Sequence, residues 1–550
     1  MTTGFGVPRF ILIELSRVDV VPTRAILATK STRAKEPMAL FESILTLLLL
    51  AIVLLQVSGR LGIPYPTMLA LAGVAVAALP WAPAIHIDSN LVMTLFIAPA
   101  ILDAAFDFPK RALKRFWIAF IALAVLAVVV TAAAVAWAAV GWAHIPLAAA
   151  VALGAIVAPP DAAAATAIMR QVSLPRDTVL VLAGESLLND AVALLIFGVA
   201  VAAAMPNASG DNVWTLAVSI PGGLLVGFLV ARIVIWVMPF LVGTLGGILF
   251  QFVATYATWM IAHALHFSSI LAVVAAAMTL STQRRYRPPA RDRIHSYSMW
   301  GTVVFVLNVM AFLLVGLQAR EAITNFPADA LWKQIGFAAA ILGVVIGVRI
   351  VWLAICNVGL RQIYRWLGHG KNTGPTAKQS AVGAWCGMRG MVTLAAALAL
   401  PPEFPARGTI LLSALMVVLG TLIVQGLTLG PFIRWLKFEP DGSRAQELAD
   451  TRRALLEASL SHLADRNDDE AKLLKQRYAM EHTAAQNADS PFDIRLNALE
   501  LECVAAQRTH LQTLRGRDSI DEDIYQLLEM QLDLAEVRAR SPVEFGLRES

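Results

Sequence analysis

Between residues 40 and 437 the chain returns repeatedly to apolar runs of about twenty residues, the length a helix needs to cross a bilayer. Lipid offers the backbone no hydrogen-bond partners, so only helices or closed barrels survive there. These runs are continuous rather than alternating, which argues against a β-barrel. Composition agrees: 58% of residues are hydrophobic and 15% charged, where a soluble chain carries about 25% charge. The fold class that follows is an all-α polytopic membrane protein.

Thirteen spans are predicted, at residues 40–59, 66–83, 90–107, 116–138, 146–169, 178–204, 214–236, 241–263, 268–282, 299–318, 334–358, 379–400 and 408–433. The eighth and ninth are divided only by the weak separator "HALHFSS". If the first span enters from outside, the connections after odd-numbered spans are cytoplasmic. They carry eighteen Lys and Arg, including Lys110 to Arg115 and Arg284 to Arg293, against three (Arg320, Lys333 and Arg407) on the other side. The positive-inside rule therefore predicts this count and a cytoplasmic C-terminus.

Two terminal segments stand apart. Residues 1–37 carry Arg and Lys throughout and no run long enough to span or to form a signal-peptide core. Met38, directly before the first run, is the expected true start; a short cytoplasmic or interfacial arm is the alternative. Residues 38–437 form the transmembrane domain. Beyond the breaker cluster "EPDGS", residues 438–550 read as a cytoplasmic helical tail. Residues 441–550 hold 14 Lys and Arg against 22 Asp and Glu, and their apolar positions recur at three and four. Packing among themselves or against a second copy is the expected use of that face. The basic excess lies in the membrane region, so it reads as topology and no nucleic-acid partner is expected. Cys356, Cys386 and Cys503 fit no metal or redox spacing, and no cofactor is expected.

Ionisable groups inside spans are expensive and mark protein interiors or water-filled paths. They are Asp103, Asp161, Glu185, Asp190, Arg232, Arg349 and Arg389. The stretch "GESLLNDAVALLIFGVAVAAA", Gly184 to Ala204, carries a polar head on an apolar body. Residues four apart share a helix face, so Glu185 and Asn189 form one stripe and Ser186 and Asp190 another. A structural pair on one side and a working site on the other are predicted.

The fifth span contains "APPD". Consecutive prolines remove two backbone donors and break the helix, freeing carbonyls beside Asp161. Broken helices at membrane depth are how transporters build cation sites. The twelfth span contains "GMRG", a second break carrying a fixed cation. A buried guanidinium calls for a carboxylate. Glu185 is the expected partner of Arg389, with Asp190 or Asp161 as competitors. Arg349 and Arg232 read as structural. Asp103 either tightens the site through a water or hydroxyl, or caps a helix end near the cytoplasm. His263 and His266 read as bystanders rather than metal ligands.

Residues 40–437 resemble the sodium/proton-exchanger family of monovalent cation:proton antiporters, its bacterial branch in particular. "GESLLNDAVAL" matches that family's Glu-Ser-Leu-x-Asn-Asp signature, "GAIVAPPDAAA" its discontinuous helix and "WCGMRGMVTLAAAL" its Gly-x-Arg-Gly segment. "FIAPAILDAAF" and "NVMAFLLVGLQ" are similar to two further segments. The resemblance implies inverted repeats, two discontinuous crossing helices and a homodimer in the inner membrane. It implies that Asp161 and Asp190 bind the ion and the proton, that Ser186 adds an oxygen, that Glu185 pairs with Arg389, and that Asn189 is the amide neighbouring the ion-binding Asp. This chain departs from the family pattern twice: Pro160-Asp161-Ala162 replaces Thr-Asp-Pro, and Asp103 stands where Glu is usual. Both bear on Na⁺ against K⁺ preference.

Antiport of Na⁺, with K⁺ or Li⁺ as alternatives, against H⁺ is the expected function. A carboxylate holds a cation or a proton, so competition at Asp190 and Asp161 gives exchange and a bell-shaped pH profile. Asn189, in place of a second carboxylate, suggests one proton per cation. An ion channel or a membrane cation sensor on the same scaffold is the alternative. No enzyme is expected: the "GLGD" of intramembrane aspartyl proteases is missing, and "GESLL" lacks the second Gly of Gly-x-Ser-x-Gly.

Overall fold

The computed structural model describes residues 42, 45–80, 91, 93–169, 174–205, 213–282, 289–324, 326–366, 375–438, 443–484, 491–517 and 519–539. The expected leader and Met38 lie outside them, as do Arg170, Arg284, Arg285, Arg287 and Lys371 of the basic connections. Every described element is helical. Among the described residues, seven helices are long and apolar enough to cross a membrane: Trp117–Ala143, Arg176–Ala204, Val218–Phe240, Leu245–Ala264, Ala290–Leu317, Ala330–Ile363 and Arg407–Leu436. Leu45–Leu61, Tyr65–Ala77, Met93–Phe106, Leu147–Val157 and Ser269–Thr282 are shorter and apolar. The chain is a multi-pass membrane protein.

Large apolar side chains point outward along these helices, among them Trp137, Trp236, Phe240, Leu245, Leu249 and Val253. In water such a surface would drive aggregation; in lipid it is the matching solvent. Burial alone therefore gives these helices little reason to associate, and close contact takes over. Gly73 and Gly316 let the Tyr65–Ala77 and Ala290–Leu317 helices touch backbone to backbone. A Cβ on Gly316 would stand 2.2 Å from the Ala70 carbonyl oxygen and 2.7 Å from the Gly73 Cα. Gly154 does the same against Ala132, seating the Leu147–Val157 helix on Trp117–Ala143.

The weak divider between the eighth and ninth expected spans is a true turn. The helix ending at Ala264 gives way to Ser269–Thr282 through His266, whose backbone is left-handed at φ 58°.

Both expected breaks are present. Leu147–Val157 stops, residues 158–161 are irregular, and Ala162–Met169 resumes. Ala377–Trp385 stops, residues 386–390 are irregular, and Met391–Leu398 resumes. The C-terminal region folds as four helices, Ser443–Leu463, Asp469–Ala484, Pro491–Gly516 and Glu522–Ala539. Arg508 on the third reaches Asp533 at 2.6 Å and Glu536 at 2.9 Å on the fourth. Glu447 on the first pairs with Arg176, which opens the helix bearing the polar head.

Candidate functional site

The two breaks lie against each other. The Asp161 N–H donates to the Met388 carbonyl at 2.7 Å, joining one unwound stretch to the other. Gly390 permits the approach: a Cβ there would stand 1.5 Å from Asp161 Oδ2. The carbonyls the first break frees are taken by side chains. Arg389 Nε donates to the Val157 carbonyl at 2.7 Å, and the Asn189 amide donates to the Pro160 carbonyl at 2.9 Å. Arg389 Nη1 also reaches the Gly387 carbonyl at 2.6 Å, and its backbone N–H donates to Thr421 Oγ1 at 3.0 Å.

This wiring has an electrostatic logic. A half-helix presents a negative C-terminal end and a positive N-terminal end. Arg389 is buried, 1% exposed, against the C-terminal end of Leu147–Val157. Asp161 sits directly before the N-terminal end of Ala162–Met169. Each charge lies at the half-helix end of opposite sign.

The expected pair of Glu185 with Arg389 is not what forms. Glu185 meets Arg349 instead, with Nη1 to Oε1 at 2.6 Å and Nη2 to Oε2 at 3.2 Å. Arg349 Nε adds a bond to the Gly383 carbonyl at 3.2 Å. Both side chains are enclosed, Glu185 at 1% and Arg349 at 5% exposure. The physical reason is that backbone carbonyls released at a break are acceptors too. Arg389 is served by Val157 and Gly387, which leaves the Glu185 carboxylate to a guanidinium from mid-helix. Gly387 makes room for that guanidinium, since a Cβ there would stand 2.4 Å from Arg349 Cδ.

The two stripes of the Arg176–Ala204 helix differ in burial as helical spacing requires. Glu185 and Asn189 are enclosed, whereas Ser186 and Asp190 are only partly buried, as is Asp161 across the break. Asp190 lies within electrostatic reach of both Asp161 and Arg389. Two carboxylates and a fixed cation thus share one neighbourhood, with the Ser186 position on the same helix face as Asp190.

Asp103 goes elsewhere. It lines a cavity of about 520 Å³ whose walls come from Ala98–Phe106 and the helices between Val213 and Leu317. Asp107, Gln251, Tyr297 and Trp300 share that lining; Asp161 and Asp190 do not. His263 is exposed in the last turn of Leu245–Ala264, and His266 is exposed on the turn that follows. No group of three or more His, Cys, Asp or Glu suited to a metal ion occurs among the described residues. Reading the sequence missed Thr421 and gave Arg349 no partner. A Thr or Arg inside an apolar run was the only signal for either.

Helices broken within apolar segments, beside carboxylates, are a feature of secondary transporters. The family model for the transmembrane region of sodium/hydrogen exchangers matches residues 44–435, and the chain belongs to that family. It is 30% identical over 535 residues to an uncharacterized Na⁺/H⁺ exchanger of Mycobacterium tuberculosis, covering 91% of this chain and 96% of the relative. It is 27% identical over 528 residues to the sodium, potassium, lithium and rubidium/H⁺ antiporter of Bacillus subtilis, covering 88% of this chain and 76% of that one. The sodium proton antiporter MjNhaP1 of Methanocaldococcus jannaschii shares the fold. It superposes with a TM-score of 0.55 at 19% identity, over 72% of this chain and 99% of that chain.

Proposed function

We propose that this chain exchanges a monovalent cation for H⁺ by competition at Asp161 and Asp190. The observation that carries the reading is the electrostatic proximity of these two carboxylates beside the contact between the two breaks. When both are ionised, two negative charges attract a cation, and the Ser186 hydroxyl supplies a further oxygen. When a proton occupies the pair, the cation loses its counter-charge and leaves. Arg389 offsets part of the negative charge, which keeps the cation from being held too tightly to release.

Na⁺ is the proposed substrate, with K⁺ and Li⁺ in the same class. The Bacillus subtilis relative named for four alkali cations supports the class rather than a single ion. Exchange is proposed to be electroneutral, because Asn189 stands beside Asp190 and brings no proton of its own. The membrane domain is proposed to cross thirteen times in the inner membrane, with the C-terminal helices in the cytoplasm. The broken segments, fifth and twelfth in that order, are seven crossings apart and so run in opposite directions. That is what an inverted repeat requires. A homodimer is proposed on the family resemblance.

Reconstituted vesicles test the reading. Adding Na⁺, K⁺ or Li⁺ should dissipate an imposed pH gradient without net current, and Asp190→Asn should abolish this while the protein remains inserted. Wild-type exchange in Asp190→Asn would remove Asp190 from the site. A net current would point to a channel.

A further inference from the structure

The Arg407–Leu436 helix presents one polar face to the second break. Thr421 accepts the Arg389 N–H at 3.0 Å, and Thr428 accepts the Trp385 indole N–H at 2.8 Å. These two contacts hold the edges of the unwound stretch 386–390. Positions 421, 425 and 428 fall on one helix face, so Gln425 points at the same stretch between its two edges. Gln425 is 0% exposed, and neither Nε2 nor Oε1 of its side chain meets a protein partner. Met388 also packs near this helix: a Cβ on the neighbouring Gly426 would stand 2.5 Å from Thr67 Oγ1 and 3.6 Å from Met388 Sδ. The Met388 carbonyl is the group that receives the Asp161 N–H.

A buried amide without partners costs about 1–3 kcal/mol. An aliphatic side chain of similar size would remove that cost. The break supplies matching needs of its own. The carbonyls of Ala384 and Trp385 would take their helical bonds from the N–H groups of Met388 and Arg389. The helix stops at Trp385, and the Arg389 N–H is given to Thr421. An unpaired amide therefore lies on the helix face whose Thr421 and Thr428 hold the stretch where these carbonyls lose their helical donors. The first break shows a parallel feature: Asn189, 0% exposed, uses Nδ2 on Pro160 and leaves Oδ1 without a protein partner.

We propose that Gln425 binds buried water behind the second break, and that this water links its amide to the carbonyls of residues 384–386. A water of this kind makes two to four hydrogen bonds and is costly to remove. Gln425 is then a positioning residue. It touches no ion, but it fixes the stretch whose Met388 carbonyl holds Asp161 in place.

The test uses Gln425→Leu and Gln425→Met in the full chain, which remove the amide and keep the volume. Hydrogen exchange at 386–390 should quicken severalfold with no rise in unfolding temperature. The half-saturating Na⁺ concentration should rise about three- to tenfold, the equivalent of one lost hydrogen bond. If both variants raise the unfolding temperature and leave protection at 386–390 and the half-saturating concentration unchanged, the amide was merely an uncompensated cost and the proposal is wrong. Should Leu and Met prevent insertion, Gln425→Asn keeps an amide one methylene short and is read by the same two outcomes. The kinetic arm rests on the exchange reading; the protection arm reports on the water bridge even in a chain that moves no ions.

Discussion

Arg349 grips Glu185 with both terminal nitrogens, at 2.6 and 3.2 Å, inside a region closed to solvent. The pair ties the Ala328–Trp366 helix to the helix that carries Ser186 and Asp190. It does so from the stripe that faces away from those two residues. The bond thus fixes the position of the working stripe without entering it.

Breaking that pair from one side should be costly. Glu185→Gln or Arg349→Met leaves a buried charge uncompensated, and the expected loss is about 3–5 kcal/mol in unfolding measured in detergent. The double variant Glu185→Gln with Arg349→Met should recover much of it, because removing both charges leaves none unpaired. Strict additivity of the two single losses would mean that the pair contributes nothing as a pair. Coupling of Glu185→Gln with Arg389→Ala should be weaker, since Arg389 is served by the Val157 and Gly387 carbonyls.

Gly390 sets the approach of one break to the other. Gly390→Ala would put a methyl 1.5 Å from Asp161 Oδ2, so the carboxylate must move. A displacement of about 1 Å at a reacting group costs on the order of a hundredfold in rate, and exchange in vesicles should fall by that order while insertion persists. Gly336→Ala is the control, for its added Cβ meets nothing within 4 Å and exchange should be unchanged.

These contacts show what the sequence could and could not disclose. The breaks were legible because consecutive prolines at 159 and 160 remove two backbone donors, and glycines at 387 and 390 flanking a charged residue weaken the helix there. The burial difference between Glu185 and Asp190 was legible because helical spacing puts them on different faces. The partner of Arg389 was not legible, because the acceptors it found are backbone carbonyls, which every residue carries and no letter marks. Arg349 sits in an apolar run forty residues before Arg389, and nothing local says which carboxylate it will meet. Asp103 read as a possible neighbour of the site, but the face its helix turns toward the cavity is set by tertiary packing, which no local stretch records. Gln425 carried a signal, a buried amide in a span, that had meaning only once Thr421 and Thr428 were seen gripping the break.

The proposed cytoplasmic placement of the tail is testable through its cysteine. Cys503 is exposed, whereas Cys356 and Cys386 are buried in the membrane domain. A membrane-impermeant maleimide should label the chain in inside-out vesicles and not in intact cells. Cys503→Ser should remove the labelling. Labelling of Cys503 in intact cells would invert the orientation, and the thirteen-crossing order with it.

Competition makes a quantitative demand on pH dependence. A proton and a cation that share one site displace each other, so each weakens the other by the same factor. Raising Na⁺ favours the ionised carboxylates, and a lower pH is then needed to protonate them. The acid limb of exchange should therefore move to lower pH as Na⁺ rises. For one proton per cation, the shift is about one pH unit for each tenfold rise in Na⁺ above its half-saturating value; for two protons it is about half a unit. The slope separates the two stoichiometries without measuring current. Electroneutral exchange through Asp161 and Asp190 requires the steeper slope, and an acid limb that does not move with Na⁺ would mean that the proton acts at a site the cation never occupies.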